Sequence, residues 1–140
     1  DRRGADGYGE TTEESLREMR GFVDDIEALG SPLVKAAITP RFIPTCSPPL
    51  LRGLGDLAAA RGCLVQSHIS ESLDEVAFVR SLYPNGESDA AIFDGCRLLT
   101  PKTVMAHGVH LSDADADLLA ARGTAVAHCP LSNFFFADGS

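Results

Sequence analysis

The chain has 140 residues, 44% hydrophobic and 23% charged, which suits one modest globular domain and excludes wholesale disorder. A net charge of -8 repels a nucleic-acid backbone or an anionic membrane, while a small neutral substrate stays compatible. No apolar run reaches the roughly 18 residues needed to span a bilayer.

The opening Asp1-Arg2-Arg3-Gly4 has neither an initiator Met nor a signal-like apolar core, so we expect an interior start and hence a fragment. The four cysteines form no Cys-x-x-Cys pair, which fits reduced thiols in a cytoplasmic protein better than a disulfide framework or a zinc ribbon.

Leu16, Met19, Phe22, Val23, Ile26 and Leu29 recur at helical spacing, predicting a helix over 11–29. Thr11 and Glu14 form its capping box and Gly30 ends it. A buried strand is expected over 34–39, leading into Pro40-Arg41-Phe42. Ser47-Pro48 opens a second helix that runs to Arg61 and stops at Gly62. The cycle then repeats, with a strand at 63–67 and a capping box from Ser72 to Glu75. That box starts a helix buried through Val76, Val79 and Tyr83. A polar loop at 84–89 contains Asn85-Gly86, and 103–106 is the next strand. Ser112 and Asp115 cap a helix carrying Leu118 and Leu119 and ended by Gly123, and 125–127 is the fourth strand.

Strands alternating with helices argue for parallel β/α units. Four units make half of a (β/α)8 TIM-type barrel, and would also suffice for an open sheet. In a barrel, chemistry gathers where strands end and loops begin. Arg41-Phe42, His68, His107 and His128 fall at four such ends in succession, which favours the barrel. A dinucleotide-binding sheet is disfavoured, because no Gly-x-Gly-x-x-Gly follows a strand.

A neutral imidazole on a rigid strand end is a good zinc ligand, and His68 is the best candidate. Glu71, three residues on, can reach water at such a metal without ligating it. Zinc lowers the pKa of coordinated water from about 15.7 to roughly 7, and a nearby carboxylate can carry the proton to a leaving amine. Equally, Glu71 could simply begin the next helix, favoured there by the helix dipole. His107 before Gly108 admits a structural or a catalytic reading. His110 reads as surface and Cys129 as an inert thiol, while His128 stays open between a substrate-facing and a buried turn residue. Arg41 offers five donors and Phe42 a stacking face, a pair suited to a planar heterocycle. Phe134-Phe135-Phe136 reads as packing rather than a ligand platform, with exposure the alternative near the end of a fragment.

These blocks together resemble the guanine deaminases of the amidohydrolase superfamily. The resemblance is carried by Thr39-Pro40-Arg41-Phe42, Ser67-His68-Ile69-Ser70-Glu71, Leu82-Tyr83-Pro84, Thr103-Val104-Met105-Ala106-His107-Gly108 and Ala127-His128-Cys129-Pro130 with Ser132-Asn133. It implies one zinc per active site and hydrolysis of guanine to xanthine and ammonia. His68 would ligate the metal and touch substrate, Glu71 would shuttle the proton and contact the purine, and His107 would orient the attacking water. Arg41 and Phe42 would bind guanine. A homodimer is expected of the full-length enzyme.

The family's His-x-His pair and last-strand Asp have no counterpart here, so residues 1–140 read as the central portion of a single catalytic barrel. Two alternatives remain from the sequence: an amidohydrolase for another amino-heterocycle, or a truncated, non-catalytic homologue acting as a binding or scaffold protein.

Overall fold

A computed structural model describes residues 9–83 and 85–136. The N-terminal residues, Pro84 and the ring of Phe136 lie outside the described part. In chain order the elements are α1 (Thr12–Ala28), β1 (Ala37–Ile38), α2 (Pro48–Arg61), β2 (Leu64–Ile69), α3 (Leu73–Leu82), α4 (Asp89–Gly95), β3 (Thr103–His107), α5 (Asp113–Arg122), β4 (Ala125–Ala127) and α6 (Pro130–Phe136). The strands form one parallel sheet in the order β1-β2-β3-β4, the arrangement of consecutive units in a partial (β/α)8 barrel.

Local chemistry accounts for most of the boundaries. Thr11 and Glu14 form the expected capping box of α1, as Ser112 and Asp115 do for α5. Gly62 and Gly123 end α2 and α5 in the left-handed conformation that costs a glycine little. At Ser72 only half of the expected box forms. The Ser72 hydroxyl accepts from the Glu75 N–H, but the Glu75 carboxylate accepts from the Glu71 N–H instead of turning to its own N-cap.

Other expectations are corrected. β1 keeps only two residues of the strand expected over 34–39, because only Ala37 and Ile38 find register partners, on Leu64 and Val65. Phe22 and Leu29, expected on the buried side of α1, are exposed, and Val23 carries that contact. Phe134 and Phe135 are exposed, the alternative that the sequence left open for them. α4 lies in a stretch given no element from sequence, since seven residues are too few to display a helical period.

Alternation along β2 divides the sheet into two faces. Val65, Ser67 and Ile69 turn into the helix-covered core with Leu51, Phe93, Leu98 and Met105. Leu64, Gln66 and His68 turn to the other face, where Leu64 and Val104 are 45% and 41% exposed. This second face is the inner surface of a barrel wall. Outside it, α2 lies so close to the end of α4 that a Cβ on Gly55 would sit 1.8 Å from the Cys96 carbonyl oxygen, and only glycine fits there.

Candidate active site

At the C-terminal ends of the strands, a cleft of about 260 Å³ is lined by Arg41, Phe42, His68, Glu71, His107 and Ser132. Five of these six residues were singled out from sequence, and the fold gathers them from three separate strand ends.

His68 closes β2, with its Nδ1 2.6 Å from the Arg41 carbonyl oxygen. A carbonyl can only accept, so Nδ1 carries the hydrogen and Nε2 keeps the lone pair. This is the arrangement in which a histidine presents Nε2 to a metal while a backbone carbonyl fixes the ring. The His68 N–H donates to the same carbonyl, and the buried Ser67 hydroxyl donates to the Pro40 carbonyl at 2.7 Å. The segment that carries Arg41 is thereby stitched to the strand that carries His68. The Arg41 guanidinium stands 5.5 Å from the centre of the Phe42 ring, within cation–π range.

His107 pairs in register with Ile69 at the end of β3. Strict alternation would send its side chain to the helix-covered face with Thr103 and Met105. Instead its φ is 75°, and the ring stacks on His68 with centroids 5.5 Å apart. A left-handed non-glycine residue costs roughly 1–2 kcal/mol, and such strain is concentrated at functional sites. Ser70, φ 47°, is a second left-handed residue at this rim. Its N–H and hydroxyl both donate to the buried Asp89 carboxylate, at 3.0 and 3.1 Å. Burial raises the pKa of Asp89 above the ordinary carboxylate value.

Glu71 follows this turn. Its Oε1 lies 3.5 Å from His107 Nε2 and accepts from the Ser132 hydroxyl at 3.2 Å. Its N–H donates to the Glu75 carboxylate at 2.9 Å. Burial pushes Glu75 from 4.5 up to about 6. The folded state therefore favours the protonated acid. The stability gained from this shift is complete below about pH 4.5 and is lost as pH rises through about 6, a difference of about 2 kcal/mol. Glu75→Gln keeps an acceptor for the Glu71 N–H and removes the buried charge. Thermal unfolding should find this variant more stable than the unsubstituted protein above pH 6, with the gap closing below pH 4.5. An equal gap at both ends would contradict the assignment.

Ser132, Asn133, Glu75 and Asp89 were given no site role from sequence. The signals that could have found them are weak: a helix start after His128, the capping pattern at Ser72, and an acidic residue in a polar loop. His128 stays outside the cleft, with its Nδ1 accepting from Asn133 Nδ2 at 3.3 Å. His110, read as surface, is half-buried, and its N–H donates to the Ser70 carbonyl.

A larger cavity of about 600 Å³ opens at the opposite strand ends, between Ile26, Lys35, Arg61, Cys63 and Lys102. Two of its cations are already engaged, Arg61 with Asp24 and Glu27, and Lys102 with the Gly62 carbonyl. It lacks the convergent imidazoles and carboxylate of the smaller cleft, which is therefore the candidate site. Among the described residues, no group of three or more His, Cys, Asp or Glu side chains could hold a metal. His68 fits a zinc ligand by its free Nε2, but it needs partners from outside the described residues.

The sequence profile of the Amidohydrolase family matches residues 2–140. The chain is 46% identical over 140 residues to the guanine deaminase of Dictyostelium discoideum, covering all of this chain and 31% of that protein. It also resembles the crystal structure of a guanine deaminase from C. acetobutylicum with guanine bound in its active site. Identity is 36% and the TM-score 0.90, with 96% of this chain and 32% of the other covered. A zinc-bound adenosine deaminase from Xanthomonas campestris matches at 26% identity and a TM-score of 0.84, over 98% of this chain and 30% of its own. The chain thus spans about a third of the relatives it matches. Its strand order, the imidazoles at its strand ends and a profile match over nearly every residue agree, and the chain belongs to the Amidohydrolase family.

Proposed function

We propose that residues 1–140 are the central portion of the catalytic barrel of a zinc-dependent guanine deaminase, which hydrolyses guanine to xanthine and ammonia. The observation that carries this reading is the cleft in which Arg41, Phe42, His68, Glu71 and His107 meet. The similarity to guanine deaminases over the whole chain, one of them holding guanine, supports the substrate. In the complete enzyme, meaning this chain with its flanking barrel segments, the first-strand His-x-His and the last-strand Asp would join His68 around the metal. Zinc there would supply Lewis acidity that makes water nucleophilic at neutral pH.

The chain's own residues account for the remaining steps. The Phe42 ring offers a face to the planar purine, and the Arg41 guanidinium offers donors to its carbonyl and ring-nitrogen acceptors. Glu71 takes the proton of the attacking water, returns it to the departing amine, and contacts the purine ring on the way. His107, held beside Glu71, orients the water. The enzyme is read as a cytoplasmic homodimer that engages neither nucleic acid nor membrane. Among the described residues no helix is long and apolar enough to cross a bilayer.

Xanthine formation by the complete enzyme tests the substrate, and a panel of purines and pyrimidines separates guanine from other amino-heterocycles. Arg41→Ala should raise KM for guanine about tenfold, the cost of a lost charged hydrogen bond of about 1.5 kcal/mol or more, with kcat less affected. An unchanged KM would remove Arg41 from the pocket.

A further inference from the structure

Asn133 is 1% exposed, so its carboxamide must find its hydrogen bonds inside the protein. It finds two, both on histidines. Its Oδ1 is 2.9 Å from His107 Nδ1, and its Nδ2 is 3.3 Å from His128 Nδ1. The two ends of a carboxamide are not interchangeable, since the oxygen only accepts and the nitrogen only donates. His107 Nδ1 must therefore carry a hydrogen, and His128 Nδ1 must be bare, with its hydrogen on Nε2.

The consequence falls on the cleft. With the Nδ1 position of His107 occupied by the bond to Asn133, Nε2 is the nitrogen left facing Glu71 Oε1 at 3.5 Å. The opposite tautomer would present an N–H there and leave the buried Asn133 oxygen without a donor, at a cost of about 1–3 kcal/mol. The backbone explains how Asn133 arrives at this position. The Asn133 N–H donates to the Cys129 carbonyl at 2.8 Å in the first turn of α6, directly after β4. That turn sends Ser132 to Glu71 and the next residue to His107.

We infer that Asn133 is a positioning residue for the proposed deamination: its carboxamide holds the Nδ1–H of His107 and so fixes Nε2 as the ring nitrogen that faces Glu71 and the cleft. The inference rests on the deaminase reading for its kinetic consequence, but not for its structural one.

The test uses the complete zinc-loaded enzyme labelled with 15N-histidine, and reads the ring nitrogens together with guanine turnover. The unsubstituted enzyme should display His107 protonated on Nδ1 and His128 protonated on Nε2. Asn133→Asp keeps the acceptor for His107 and removes the donor to His128. It should leave His107 protonated on Nδ1, move the His128 hydrogen to Nδ1, and lower kcat less than Asn133→Leu does. Asn133→Leu removes both bonds at similar volume. It should release the His107 tautomer and lower kcat by about 10–100-fold, the usual loss when the orienting partner of an active-site histidine is removed, with KM little changed.

An unprotonated His107 Nδ1 in the unsubstituted enzyme would overturn the inference. So would equal damage from both substitutions, or an undiminished kcat in Asn133→Leu. If the unsubstituted enzyme turns over no guanine, the deaminase reading falls, and the ring spectra alone decide the role of Asn133.

Discussion

Glu71→Gln in the complete enzyme is expected to keep its zinc and to lose guanine turnover by about 10²–10⁴-fold, the range that general acid–base catalysis contributes. The substitution is nearly isosteric, and its carbonyl oxygen can still accept from the Ser132 hydroxyl. The backbone N–H still reaches Glu75. What disappears is the capacity to take a proton on one side of the reaction and release it on the other. Because Glu71 is assigned no bond to metal, zinc content measured by atomic emission should stay at the unsubstituted level. Full xanthine formation by the variant would end the proton-carrier assignment, and loss of zinc would move Glu71 into the ligand set.

His68→Ala should behave in the opposite way, losing the metal first and activity as a result. The His68 ring is fixed by its 2.6 Å bond to the Arg41 carbonyl, which leaves Nε2 committed to the cleft. Removing a hydrogen-bond partner of a ligand costs about 10–100-fold in metal affinity, and removing the ligand itself should cost more. A second effect follows from the same bond. Without the imidazole, the Arg41 carbonyl loses one donor while the backbone N–H of residue 68 and the Ser67 hydroxyl remain, so the substrate pocket should loosen without collapsing. Zinc retained at full occupancy in this variant would displace His68 from the metal site.

The alternation of strand and helix was legible because each unit carries its own punctuation. Thr11, Ser47 and Ser112 start helices as expected, and Gly62 and Gly123 stop them. The positions of Arg41, His68 and His107 at strand ends followed from that frame, and the cleft that unites them follows from the strand order. What stayed hidden depends on tertiary contact. Nothing local announces that His107 adopts a left-handed backbone, an uncommon state for histidine outside turns. Nothing local announces that Glu75 will abandon its own capping box for the Glu71 N–H, or that Asp89 will reach back nineteen positions to grip Ser70. The short β1 was overestimated because Val34 looks like strand until its exposure is known, and because only Ala37 and Ile38 find register partners.

Neighbouring strands in this sheet are also neighbours along the polypeptide, without a single crossover beyond the adjacent unit. Each strand can therefore dock as soon as the preceding one is in place, but every parallel pairing must first close a loop through a whole helical crossover, which slows assembly. A growing chain can build this sheet from β1 to β4 in order, with one face half-exposed throughout. The apolar surface that this order of assembly leaves open to wrong pairings is the face on which Leu64 and Val104 meet water.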